Sequence, residues 1–469
     1  MKPMLPTDSA LNQEEKIQSE GHSPTANATS LMTHPTTTLT AQDRLEKLGV
    51  DLSKYQFIDQ RENFKPIISR KWRELSAAVL QAIVQKTAGF APDPWMLTHI
   101  VTTRCNYSCG FCSFADTLNA KHNELTLEEI EQVYATIGRN LNVIVYSGGE
   151  TTLNRNLAPI IEAAYRLTPV KSVYIISNAW KPDLLFQITH RVMQRCPNLH
   201  LTWSLSIEGP KEHNNSIRHT HAESWDAWQN TIDTMEGLKR LREKYGYDQL
   251  DVQLCTVCTP DNIHVMDDWY AMIAKELQPD KWNLNLMRRS VQMSNSDLAT
   301  FEDRRKQQAL EPFEQKYVEI TEALREDVIN GKIKFNYHTA TALEGKVKAA
   351  LDLISQEENR RMVQQQPPTF GCKAGTHGAF IGSEGELGGC EEFVMNPSDT
   401  KSFGNLRDVG YDFQKLWHSG TAQKYRELAG KSDECVGCTL ESQRNYPSVL
   451  ASPKNMGRAV KIAMKMDQQ

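Results

Sequence analysis

The chain has 469 residues, a net charge of −5 and enough apolar residues for a sizeable core. Its length suits one large domain with one or two small ones, and scattered Lys and Arg under a net negative charge argue against a nucleic-acid partner. No apolar run reaches the ~18 residues of a membrane span, and the N-terminus lacks the apolar stretch of a secretion signal.

Residues 1–40 are rich in Ser, Thr, Pro, Asn and Gln and are expected to be disordered, because they cannot bury enough apolar surface to offset ordering entropy. Residues 41–94 read as a helical extension; WRELSAAVLQAIVQKTAGF carries apolar positions at three- and four-residue spacing. From Trp95 the pattern alternates. Strands are expected at 96–101, 142–147, 172–177, 200–206, 249–257 and 282–287, with helices near 126–139, 156–166, 181–194, 223–243 and 264–276. Thr126 and Glu129 form a capping box for the first helix, and Leu125 and Ile130 a hydrophobic staple. Six strand–helix steps imply an α/β fold with a parallel sheet over 95–300; periodicity alone does not separate a barrel from an open sheet. Residues 301–366 read as two charged helices. After QQQPPT the text turns to short strands and glycine turns, marking a boundary near 367 and a small domain to 452, with a loose tail over 453–469.

Seven of the ten cysteines lie in tight groups or glycine-rich loops, which suits metal or redox work in the cytoplasm rather than a disulfide framework. Cys105, Cys109 and Cys112 are spaced C-x3-C-x2-C directly after the first strand. Three soft thiolates favour iron–sulfur or zinc. Zinc wants a fourth ligand, which His99 is able to supply. An iron–sulfur cluster would keep one iron open to a small molecule.

The surrounding text resembles the radical S-adenosylmethionine (SAM) enzymes. Phe111 resembles the aromatic beside adenine. Ser147-Gly148-Gly149-Glu150 resembles the GGE motif, without its usual proline; the glycines let the backbone approach the SAM amino group and Glu150 is placed to accept its hydrogen bond. Ser177-Asn178 resembles the TNG motif, with Ala179 in place of glycine. Ser206 and Arg218 resemble the ends of SxDGxxxxHDxxR, with Glu208 for Asp and Asn214-Asn215 for HD. The resemblance implies a partial (β/α)6 TIM-like barrel with chemistry at the C-terminal strand ends. It also implies that Arg218 binds the SAM carboxylate and that a [4Fe–4S] cluster cleaves SAM to a radical that takes a substrate hydrogen.

Cys372, Cys390, Cys435 and Cys438 make a second set, for which a structural zinc site is the alternative to iron. GNLR at 404–407 and LWHS at 416–419 resemble the SPASM or twitch extension of the same superfamily, a small α+β iron–sulfur domain. Four cysteines fit the shortened twitch form with one fully ligated [4Fe–4S] cluster, which makes two clusters in all. Cys196, and the Cys255–Cys258 pair within one strand, read as buried residues.

Asn283, Asn285, Met287 and Arg288 end the last strand and are candidates to face substrate; Tyr146 faces either the core or the barrel mouth. Arg288 and Tyr146 are the catalytic candidates. His377, Glu384, Glu391 and Glu392 are candidate general bases. The resemblance implies a small-molecule or peptide substrate and an electron donor such as flavodoxin or ferredoxin. Three functions compete: oxidation of a small molecule, maturation of a ribosomal peptide, and non-catalytic electron carriage. Arg218, GGE and Phe111 speak against the last, since they make sense only if SAM binds. Residues 41–94 lack the β-hairpin of a winged-helix leader-binding domain, which lowers the second.

Overall fold

The structure is a computed structural model that describes residues 40–55, 64–67, 91–112, 114–115, 117–120, 123–219, 225–287, 310–338, 342–394, 402–431, 435, 438–439, 449 and 452–466. The chain divides into units 1–44 and 45–469. In the first, Thr40 and Asp43 cap one another: the Asp43 amide donates to Thr40 Oγ1 at 3.1 Å and the Thr40 amide to Asp43 Oδ2 at 3.2 Å. The expected disorder before Thr40 and the expected helix at 72–90 lie outside the described residues.

The second unit is built on a nine-stranded sheet of order β6-β5-β4-β3-β2-β1-β7-β8-β9. Its first six strands are β1 (Met96–Thr102), β2 (Val143–Gly148), β3 (Ser172–Ser177), β4 (His200–Ser206), β5 (Leu250–Cys258) and β6 (Lys281–Leu286). All six run parallel in sequence order, and the expected ranges hold to within two residues. Helices α1 (Leu127–Thr136), α2 (Leu157–Leu167), α3 (Pro182–Arg195), α4 (Lys211–Ile217), α5 (Ala227–Tyr245) and α6 (Met266–Met272) fall between them. The capping box at the start of α1 is present, Thr126 accepting from the Glu129 amide and Glu129 from the Thr126 amide.

Alternation sorts each strand into two faces. Leu97, Ile144, Val173, Ile175, Leu201, Trp203, Leu205, Val252 and Leu254 join the main apolar core under the helices. Their neighbours point the other way and line an interior cavity: Met96, Thr98, Val145, Tyr174, Ser204, Gln253, Lys281 and Asn283. At the entry ends of the strands a hydrogen-bonded network around two buried carboxylates binds the elements together. Asp280 takes Arg242 of α5 at 2.6 and 3.2 Å, while Asp251 takes His200 at 2.6 Å and His338 at 2.7 Å. Asp251, Asp280 and His338 have ligand atoms within 4.8 Å of one another, and the Arg242 guanidinium already fills the charge requirement there.

Helices α7 (Pro312–Ile329) and α8 (Ala342–Val363) follow, then β7 (Gly378–Ile381), β8 (Glu386–Gly388), β9 (Gly404–Asn405) and α9 (Gly420–Leu428). The change of composition near 367 is not a break in the sheet, since β7 pairs in parallel with β1 from Met96↔Gly378 to His99↔Ile381. The chain end differs from the loose tail expected. It forms α10 (Pro453–Lys465), which buries Asn455, Ala459, Ile462 and Ala463; Arg458 Nη2 reaches both carboxylate oxygens of Glu357 on α8 at 2.7 and 2.9 Å. An amphipathic stripe with an α8 partner explains the order.

Candidate functional site

The cavity inside the barrel measures about 360 Å3, and Cys105, Cys109 and Cys112, on the loop after β1, border it. The loop that carries them is held on three sides. Asn119, at φ 58, clasps Cys105 through two hydrogen bonds of 2.9 Å, accepting from its amide and donating to its carbonyl. The Ser108 amide donates to the His219 carbonyl at 2.8 Å. The amides of Gly149 and Glu150 donate to the Thr102 and Arg104 carbonyls at 2.9 and 2.8 Å. That last contact explains the glycines. A Cβ on Gly148 would lie 2.1 Å from the Thr102 carbonyl oxygen, and one on Gly149 2.3 Å from that of Arg104. Asn119 was not singled out in the sequence, although a left-handed residue after a cysteine loop is a position asparagine favours.

Arg218 is buried at the edge of the thiol set. Its Nη1 donates to Glu208 Oε1 at 2.6 Å, its guanidinium lies 5.7 Å from the Tyr107 ring centroid, and its Nε is buried without a partner. Burial opposes its charge, yet Glu208 holds it protonated. Burial also pushes the thiols up, Cys105 to about 12, with Arg218 pulling Cys109 and Cys112 the other way. A set of buried thiols with one nearby cation becomes a set of thiolates only when a bound metal group adds positive charge.

Phe111, Ser147, Gly148, Gly149, Ser177, Asn178, Ser206 and Arg218 all line this one cavity. Glu150 does not. It is fully buried, and its carboxylate accepts from the Thr152 amide and hydroxyl, the Ser177 hydroxyl and the Asn178 amide, at 2.5–3.1 Å. Burial raises its pKa against those four donors. It therefore organises the turn after β3 rather than facing the cavity as expected.

Tyr146 likewise faces the core and not the barrel mouth. It lies on the helix face of β2, fully buried, with its hydroxyl 3.2 Å from that of Tyr134. His99 shares that face, 2.8 Å from Tyr134, and desolvation lowers its pKa to about 3. Neither ring borders the cysteines. Arg288 lies outside the described residues, whereas Asn283, Asn285 and Met287 line the cavity. Of the four candidate bases Glu391 reaches it, together with Asp352 from α8, which the sequence did not flag. Cys196 and Cys258 are buried as expected, but Cys255 faces the cavity and accepts from Asn285 Nδ2 at 3.3 Å. Strand alternation separates the two members of that pair.

The second cysteine set also converges. Cys372, Cys390, Cys435 and Cys438 surround one small pocket with Phe393, Tyr425 and Gly430. The Gly430 amide donates to Cys435 Sγ at 3.3 Å and the Ala374 amide to Cys372 Sγ at 3.5 Å. Gly430 has φ +79, and a Cβ there would sit 2.9 Å from Cys372 Cβ.

Residues 99–257 match the model of the radical SAM superfamily. Residues 372–439 match that of the SPASM iron–sulfur cluster-binding domain. The chain carries a radical SAM domain and a SPASM domain. Its cofactors are SAM and two [4Fe–4S] clusters. No curated protein matches the chain. Among solved structures, this radical SAM chain is similar to Streptococcus suis SuiB bound to S-adenosylmethionine, at 14% identity over 83% of this chain and 82% of that one, with a TM-score of 0.48. It is similar to anSMEcpe with bound AdoMet at 15% identity over 79% and 95%, with a TM-score of 0.49. It is similar to BtrN in complex with AdoMet and 2-DOIA at 12% identity over 76% and 99%, with a TM-score of 0.31. Among the described residues no helix is long and apolar enough to cross a membrane.

Proposed function

We propose that this radical SAM enzyme oxidises a small molecule held inside the barrel. When bound, SAM and the first cluster supply a hydrogen-abstracting 5′-deoxyadenosyl radical, and the second cluster a one-electron acceptor. The observation that carries the reading is the enclosure of one pocket by all four SPASM cysteines, because a fully ligated cluster suits electron transfer better than substrate binding.

Cys105, Cys109 and Cys112 hold the first cluster and Cys372, Cys390, Cys435 and Cys438 the second. The unpartnered Nε of Arg218 and its charge receive the SAM carboxylate. The Gly148–Gly149 backbone, Ser177, Asn178 and Ser206 surround the rest of SAM, with Phe111 beside adenine. Barrel walls keep water from the reacting carbon. Glu391 is the carboxylate on the cavity placed to take the substrate proton lost on oxidation. Flavodoxin or ferredoxin is the fitting class of reductant.

Mass balance on the anaerobically reconstituted enzyme tests this. Each turnover should give one 5′-deoxyadenosine carrying substrate deuterium and a product two mass units lighter. A product of equal mass, with deuterium returned to it, would overturn the oxidation.

A further inference from the structure

The interior of the barrel is two-sided. On the β1–β3 side it carries an apolar patch, where Met96 and Val145 line it and cluster with Val143, and Tyr174 packs on them. On the β5–β6 side it is polar, and the polarity increases with depth. Lys281 begins β6 and Asn285 lies near its end, so about 13 Å of strand separates the two.

At that floor Lys281 Nζ meets Asp352 Oδ2 of α8 at 3.1 Å, and the Tyr337 hydroxyl donates to the same carboxylate. Each ion is only 7% exposed, and both line the cavity. Gln253, 1% exposed, stands beside them. Its Oε1 accepts from Asn283 Nδ2 at 3.2 Å, while its Nε2 is buried with no partner. A buried donor left unmet is costly, and one lining a cavity points to a ligand acceptor. Burial raises the Asp352 pKa against the pull of Lys281, so the pair is a site where desolvation is already endured.

The ligand chemistry follows from what the pair tolerates. A simple carboxylate approaching Lys281 would draw it from Asp352 and leave a buried anion short of its counter-ion. A simple amine would do the converse. A ligand carrying both charges exchanges one pair for two and also gives Gln253 its acceptor. Resting on the proposed function above, we infer that Lys281, Asp352 and Gln253 form the anchoring subsite for the zwitterionic, amino-acid-like head of a small substrate. The apolar body then lies along Met96, Val145 and Tyr174, and a carbon far from the head is presented at the strand ends. The methionine head of SAM belongs at the cysteine loop and Arg218, which follow the ends of β1 and β4, whereas Lys281 is the first residue of β6.

The test uses the reconstituted enzyme with SAM saturating, so that no probe is read at the SAM site. Ligand-observed NMR compares norleucine with hexanoate and hexylamine, which share its body and lack one charge each. Norleucine should bind at least about tenfold more tightly than either. Lys281→Met/Asp352→Leu, which removes both charges together and so leaves no lone ion, should abolish that preference while keeping its iron content. Gln253→Leu should weaken norleucine and hexanoate but not hexylamine. Equal binding of the three probes, no norleucine binding at millimolar concentration, or an unchanged preference in the double variant would each overturn the subsite. Tight binding of norleucyl peptide amides in place of free norleucine would overturn it in favour of a peptide. Wild-type formation of 5′-deoxyadenosine without substrate separates the two readings. If it occurs and the probes fail, the anchor alone falls; if it does not occur, the enzymatic reading falls.

Discussion

The two cysteine sites of this chain are opposites in construction. The first has three thiols on a loop pinned by backbone contacts from neighbouring strand ends, a buried cation beside Cys109, and an open cavity in front. The second has four thiols drawn from distant turns around a small pocket walled by Phe393 and Tyr425. A missing thiolate together with an adjoining cavity makes a site for a ligand. On the proposed function, a full set of thiolates behind aromatic walls makes a site for an electron. The number of cysteines and the room beside them, rather than their chemistry, distinguish the two.

Removing either set is the strongest way to break this comparison. Wild type should hold about eight irons after reconstitution, and Cys105→Ala/Cys109→Ala/Cys112→Ala about four, with loss of all SAM cleavage. Cys435→Ala/Cys438→Ala should also lose about four irons yet still cleave SAM without substrate. Iron analysis and chromatography of 5′-deoxyadenosine read both; loss of all iron in either variant would mean that the sites are not independent.

Arg218 is next in size. Arg218→Ala should weaken SAM binding, read as a loss of the SAM-induced change in the cluster's electron paramagnetic resonance signal. It also strands Glu208, which is 1% exposed, so stability should fall by about 3–5 kcal/mol. Arg218→Met/Glu208→Gln removes both charges and should recover most of that stability but none of the SAM response. If the double variant responds to SAM like wild type, the cation is only a partner for Glu208.

Much of the first site was legible because each element carries a local signal. Strand alternation, the Thr126–Glu129 box and the order of the cysteines, GGE, Ser177 and Arg218 all act over short stretches. What was not legible depends on parity or on distant partners. Tyr146 and Ser147 are neighbours in sequence, yet one lies in the helix layer and the other in the cavity. Glu150 is claimed by donors from the turn after β3. Asp352 reaches the cavity from a charged helix with no motif. The pairing of β7 with β1 joins segments about 280 residues apart, and nothing in GAFI names its neighbour. The order of α10 likewise depends on Arg458 meeting Glu357.

A smaller effect tests how firmly the SPASM domain is tied to the barrel. Arg407, in the turn after β9, donates to Glu129 of α1 at 2.9 and 3.0 Å, and the Tyr411 hydroxyl donates to it at 2.6 Å. The hydrogen bonds from Arg407, with Tyr411 and the Thr126 amide, hold the Glu129 carboxyl down at about 2 against its usual 4.5. A depressed folded-state pKa stabilises above the unfolded value and stops doing so as pH falls through the folded one. Glu129→Gln should therefore lower stability by about 1 kcal/mol or less at neutral pH. The gap from wild type in urea unfolding should be constant above pH 5 and close as pH falls from 4.5 towards 2. A gap that does not change with pH would mean that Glu129 acts through the capping box alone.

The smallest effect concerns Ala179, which stands at φ 56 in the turn that Glu150 holds beside the first site. An L-residue in the left-handed region carries about 1–2 kcal/mol of strain, which glycine would relieve. Against this, glycine gives up a buried methyl worth about 0.8 kcal/mol and adds freedom to the unfolded chain worth about 0.4–1 kcal/mol. The opposing effects nearly cancel, so Ala179→Gly should stay within about 1 kcal/mol of wild type. Ala179→Val adds a β-branched side chain where that backbone tolerates it least and should be plainly destabilising. Because the Asn178 and Ala179 amides are tied to Glu150 Oε2 and Ser177 Oγ at 2.6 and 3.0 Å, the valine variant should also loosen SAM binding in the paramagnetic resonance titration, while the iron of the SPASM site is unaffected. Were valine to reduce the iron of both sites equally, the turn would support the whole fold, and the separation drawn between a site for a ligand and a site for an electron would not extend to their stabilities.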